Sequence, residues 1–197
     1  LTDDPPLRAD AQQNRDKILA AAEAIFLERG ATVSMNEVAR HAGVGIGTLY
    51  RRFPTREDLL AAAYSARFVA VAEDMRLRAE GADALSTLRA YLEELVRHTT
   101  VYRGFAASLG IVLKTGTPGC VATSQVGQQL LQTAQSTGQV RVDITFADLV
   151  CVATAVSLAV EQDGIPQSGV AHLVGLFTDG IVVRPPERNR LPGAASG

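Results

Sequence analysis

Between Ser34 and Asp58 the chain reads SMNEVARHAGVGIGTLYRRFPTRED, and few folds accommodate that stretch. It begins and ends on helix-starting signals. Ser34 with Glu37 makes an S-x-x-E capping box, in which each side chain accepts a free backbone N–H of the other's residue. Thr55 with Asp58 repeats the logic and opens a long helix. Between them, Gly43 ends a short helix whose apolar positions are Val38, Ala39 and Ala42. Glycine enters the left-handed conformation of a helix stop without a Cβ penalty. After Val44 a second short segment places Leu49 and Phe53 on one face, and Pro54 stops it. Two short helices joined by a glycine-containing turn, here AGVG, read as a helix-turn-helix. In that motif the second helix enters the major groove of DNA.

Gly43, Gly45 and Gly47 also invite a rival reading, a glycine cradle for a phosphate-bearing cofactor. That reading fails on context. A dinucleotide fingerprint is G-x-G-x-x-G between a strand and a helix. Here the spacing is G-x-G-x-G, a capped helix comes first, and no P-loop Lys-Ser/Thr follows. No cofactor is expected. The local charge favours DNA instead. From Arg40 to Arg56 the stretch carries Arg40, Arg51, Arg52 and Arg56 and no acidic residue. A merely solvated face usually mixes both signs. Such a patch neutralises phosphates even though the whole chain has a net charge of −2.

The rest of the chain is helical in period. Ile18, Ala22, Ile25 and Phe26 share one face of a helix from Gln13 to Arg29. Leu59, Leu60, Ala63, Tyr64, Phe68, Val71 and Met75 form the buried stripe of the long helix after Thr55. Further amphipathic segments follow around Leu85–Val96, Phe105–Val112 and Val126–Ala134. VRVDITF is rich in β-branched residues, but it is too isolated for a sheet; Asp143 or Thr145 suits the cap of a helix running through Glu161. A last apolar helix covers Val170–Val183. The expected fold is therefore all-α, about nine helices, with a three-helix head over residues 1–54 and a larger body over 55–183. Residues 184–197, RPPERNRLPGAASG, are expected to be a disordered tail.

Several function classes are disfavoured. Cys120 and Cys151 are far apart, and His41, His98 and His172 are scattered, so no metal spacing exists. There is no G-x-S-x-G and no Cys/His pair at a familiar catalytic spacing, so an enzyme is not expected. No apolar run reaches the roughly 18 residues of a membrane span. LTDDPPLRADAQQ has no apolar signal core, and a cytoplasmic protein is expected.

From Arg15 to Leu60 the chain resembles the DNA-binding domain of TetR-family transcriptional regulators, through RDKILAAAEAIFLERG and VSMNEVARHAGVGIGTLYRRFPTREDLL. The A-G-V turn, the G-T-L-Y run, the phenylalanine and the following cap stand in register. The resemblance implies a double-stranded DNA operator as partner. It gives Arg15, Ser34, Asn36 and Arg56 to the phosphate backbone, and Thr48 and Tyr50 to phosphate or thymine methyl groups. Arg51 or Arg52 is the implied bidentate partner of guanine. Two positions depart from the family's usual polar residues: Gly45 offers only its N–H, and Ile46 only apolar contact. They and Gly47 sit at the start of the recognition helix.

For the body, the resemblance implies a homodimer built on the last two helices and a small-molecule effector held among the middle ones. Phe146–Val160 carries only Asp148, and Val170–Val183 only Asp179, which suits a buried interface. The candidate effector-lining residues are Tyr64, Phe68, Tyr91, Leu95, His98, Phe105, Leu109 and Val112, and the implied effector is apolar or amphipathic. The alternative is a DNA-binding regulator without a small-molecule ligand, controlled by a protein partner.

Overall fold

The computed structural model describes residues 5–183, with side chains over 12–183. The expected disordered tail, 184–197, lies outside the described residues, as do 1–4. The described residues form nine α-helices: α1 (Pro5–Arg29), α2 (Met35–Ala42), α3 (Ile46–Arg52), α4 (Arg56–Ala79), α5 (Ala84–Thr99), α6 (Leu109–Val112), α7 (Pro118–Ser136), α8 (Phe146–Asp163) and α9 (Gln167–Ile181). One 3-10 turn, Ala106–Ser108, leads into α6. α1 starts well before Gln13; its first turns, PPLRADAQ, hold one large apolar residue, Leu7, and so leave no apolar period to read.

The caps act as the sequence requires. Ser34 and Glu37 close a complete capping box on α2, as Thr55 and Asp58 do on α4. Thr145 caps α8 with Asp148, so the β-branched VRVDITF segment turns into a helix start. Its only strand-like feature among the described residues is one antiparallel bridge, Val140 to Val182, which ties the end of α9 to the α7–α8 connection.

α4 is the spine. Its first turns pack on α1 in the head, and its later turns pack on α5 and α7 in the body. α7 approaches it closely because small residues stand at Gly119 and Thr123. A Cβ on Gly119 would lie 2.2 Å from the Ser65 carbonyl oxygen. Thr123 donates its hydroxyl to the Phe68 carbonyl at 2.8 Å. α8 and α9 pack on the far side of α5. One apolar core runs without a break from Ile18 and Phe26 in the head to Val174 and Ile181 in α9. Head and body therefore share a core through α4.

Candidate nucleic-acid interface and effector groove

The head's geometry begins at Gly43. Its φ of 66° and ψ of 30° place it in the left-handed region. From there its N–H donates to the Arg40 carbonyl and that of Val44 to Ala39, which closes α2. The chain then re-enters a helix at Gly45, the N-cap of α3. Val44 is half-buried against the core, and Leu49 and Phe53 are buried, so α3 is anchored by its inner side. Its outer side carries Ile46, Tyr50, Arg51 and Arg52, all exposed. Arg51 donates weakly to the Thr48 hydroxyl at 3.4 Å.

Gly45 and Gly47 are not required by packing. A Cβ on Gly47 would meet nothing within 4 Å, and one on Gly45 would meet only the Thr48 hydroxyl at 4.0 Å. Neither residue has a positive φ. Their bareness faces outward.

The remaining expected contacts are on the same head but are partly committed within it. Arg15 lies over the Phe53 ring at 5.9 Å. Arg56 donates to the Thr32 carbonyl at 3.2 Å, which pins the α1–α2 corner to the start of α4. Asn36 is exposed. The Ser34 hydroxyl donates to Glu37 at 2.8 Å, and Glu37 also pairs with Arg29 at 2.9 Å. The Ser34 backbone and side-chain hydrogen bonds, and then the Arg29 guanidinium, hold the Glu37 carboxyl below its ordinary range. An ionised carboxylate thus shares the start of α2 with Ser34 and Asn36.

The eight body residues expected around an effector are indeed brought close together, but as packed interior. Tyr64, Phe68, Tyr91, Leu95, Phe105, Leu109 and Val112 are fully buried. Tyr64 stacks on Phe105 at 4.3 Å and meets Tyr102 edge-on at 4.6 Å. Its hydroxyl donates to the His98 carbonyl at 2.8 Å. His98 is half-buried; burial, and then Arg97, push its imidazole below the ordinary range. Large side chains at helical spacing report burial, and close packing fills that space.

The open volume lies on the other side of α6. Leu109 and Val112 turn into the core, while Gly110 and Ile111 face a groove of about 840 Å³ between α6, α7 and α8. Phe146, Val150, Cys151, Thr154 and Leu158 of α8 line it, Ser124 and Gln128 of α7 contribute amides and hydroxyls, and Lys114 supplies its one charge. This lining differs from the eight residues expected. The sequence signal available was the scarcity of charge along α8, which reads equally as an interface.

Residues 18–63 match the description "Bacterial regulatory proteins, tetR family", and residues 83–183, just over half of the chain, match "Transcriptional regulator SbtR-like, C-terminal domain". An HTH-type transcriptional regulator of Staphylococcus aureus (strain USA300) is 44% identical over 54 residues, 27% of this chain and 29% of that protein. The chain thus matches under a third of the length of such curated relatives. Among solved structures, RolR in complex with resorcinol is similar with a TM-score of 0.65 at 22% identity, covering 95% of this chain and 100% of that one. Thermus thermophilus FadR in complex with lauroyl-CoA has a TM-score of 0.62 at 20% identity, covering 91% and 100%. These two establish likeness of fold. With residues 18–63 and 83–183 matched, the second match over half of the chain, the chain belongs to the TetR family of transcriptional regulators.

Proposed function

We propose that this regulator is a homodimeric repressor. It reads a palindromic operator through α3 and leaves it when a small apolar or amphipathic molecule occupies the body. The observation that carries the reading is α3 itself. The Gly43 turn and the inner anchors Leu49 and Phe53 hold it with Ile46, Tyr50, Arg51 and Arg52 outward. A rigid short helix presenting two arginines and no acid suits a major groove. One head reads too few base pairs to be selective, so two must act together, about 34–36 Å apart on successive turns of DNA.

The dimer surface is assigned to α8 and α9. On that surface α9 exposes the large apolar Leu176. The effector is assigned to the groove beside α6, not to the aromatic core. Its volume falls within the roughly 300–1,000 Å³ of small-molecule sites, and its lining is mainly apolar. RolR and FadR, of the same fold, hold resorcinol and lauroyl-CoA. Occupation would favour a body arrangement that tilts α4 and changes the spacing of the recognition helices. The shift is limited to the ligand's differential affinity for the two arrangements.

Selection from random DNA, followed by titration of the selected duplex with a panel of small amphiphiles, tests this. A palindrome released by at least one compound that competes for the groove is the expected result. A selected palindrome that no groove ligand releases would favour control by a protein partner.

A further inference from the structure

One residue touches both the head and the helix that lines the groove. Gly104, in the turn between α5 and α6, has a φ of +83°, and a Cβ there would lie 2.8 Å from the Thr32 methyl. Its N–H donates to the Glu161 carboxylate of α8 at 3.0 Å. Its neighbour Arg103 accepts the Ala31 N–H at 2.8 Å. At Gly30, the last residue before that corner, a Cβ would sit 2.6 Å from the same Arg103 carbonyl oxygen. The turn is thus clasped on one side by residues 30–32 and on the other by Glu161. Arg56 holds the Thr32 carbonyl, so the corner is also tied to the start of α4.

We propose that Glu161 is a positioning residue: it makes the turn Tyr102–Phe105, and through it the head's α1–α2 corner, follow the position of α8. This rests on the reading that the groove beside α8 takes the effector. The same α8 carries Val150, Thr154 and Leu158 into the groove and Glu161 onto Gly104. The turn leads through the 3-10 turn Ala106–Ser108 into α6, the groove's opposite wall. A molecule wedged between α6 and α8 therefore pulls on both ends of one hydrogen bond. The seam is also incompletely satisfied. The second Glu161 oxygen is buried without a protein partner, and so is the hydroxyl of Ser157, one turn earlier on α8. Buried polar groups are nearly always paired, so these two atoms give the seam spare hydrogen-bonding capacity. A seam that gains partners in a second arrangement is suited to switching between two.

The test is amide hydrogen exchange on the full chain, with Glu161→Ala and Glu161→Gln compared with the parent. Glu161→Gln retains an acceptor for the Gly104 N–H; Glu161→Ala has none. Glu161→Ala should speed exchange of the Gly104 and Ala31 amides by about tenfold, the scale of one lost hydrogen bond. Amides of the α4 core around Tyr64 and Phe68 should not change. Glu161→Gln should restore most of the protection. Unchanged protection at Ala31 in Glu161→Ala, or a uniform rise across all helices, overturns the proposal. A second arm places N-phenylmaleimide on Cys151 as a groove occupant and measures affinity for the selected operator. The label should weaken operator binding in the parent and have a several-fold smaller effect in Glu161→Ala. An equal effect in both proteins overturns the coupling. If the label leaves the parent's operator affinity unchanged while Ala31 still loses protection in Glu161→Ala, the groove reading fails and the Glu161 link stands.

Discussion

Two glycines at the head show how one residue type serves opposite purposes. Gly30 is required by the fold: its φ is +90° and the Arg103 carbonyl fills the place of a Cβ. Gly30→Ala should destabilise the protein by about 1–3 kcal/mol, the range for a strained backbone position, as read by urea unfolding. Gly47 is not required by the fold, since a Cβ there meets nothing. Gly47→Ala should raise stability by about 0.5–1 kcal/mol through helix propensity. If DNA approaches that bare backbone, the same change weakens operator binding. Parallel unfolding and binding measurements on Gly47→Ala separate these effects, and a gain in both would remove Gly47 from the interface. Arg51 and Arg52 carry the hydrogen-bonding capacity that Gly45 and Ile46 lack. Arg51→Ala and Arg52→Ala should each relax G·C positions in a repeated selection, at roughly 1–3 kcal/mol per bidentate contact.

At the scale of the element, the caps govern both where helices begin and how the fold responds to acid. The Asp148 carboxyl, held by the Thr145 hydroxyl and backbone N–H, lies below its ordinary range, as does Glu37 on α2. A depressed carboxyl binds fewer protons folded than unfolded. Its contribution is present above the ordinary carboxylate pKa and is lost as pH falls through the folded value. Stability should therefore decline into the acid range, and Asp148→Asn should lower stability at neutral pH while flattening that decline, as followed by unfolding at a series of pH values. The start of α4 offers a separate test. Arg56 keeps donors beyond the one on Thr32, and if it clamps a phosphate, Arg56→Ala should flatten the log–log salt dependence of operator binding by about 1. An unchanged slope would leave Arg56 only its role in pinning the α1–α2 corner.

For the whole molecule, assembly is the decisive property. Leu176 is 58% exposed on α9, a helix whose one acidic residue is Asp179 and which has no Lys or Arg, and it lies on the proposed dimer surface. Leu176→Glu should place an unpaired charge in that interface at a cost of several kcal/mol. Sedimentation should then show monomers, with operator binding lost. A parent that sediments as a monomer at micromolar concentration would remove the dimer from this account, and a dimeric Leu176→Glu would move its interface elsewhere.

The sequence alone determined what depends on neighbours within a few residues. Capping boxes at Ser34 and Thr55, the stop at Gly43 and the 3.6-residue period of α4 and α5 are local, and they marked the helix starts and the helix-turn-helix directly; at α8 the sequence left Asp143 and Thr145 as alternatives, and the fold placed the cap on Thr145. The outward placement of Tyr50, Arg51 and Arg52 followed, because Leu49 and Phe53 fixed the inner side of α3. Where space remains in the body is not local. Tyr64, Phe68 and Phe105 have the same spacing whether they line a cavity or fill one; only the meeting of α4, α5 and the α5–α6 turn closed them into a core and left the groove on the far side of α6. The clasp of Gly104 between Thr32 and Glu161 joins residues far apart in the chain. No periodicity encodes it, because it is made by packing between elements and not by the conformation of any one of them.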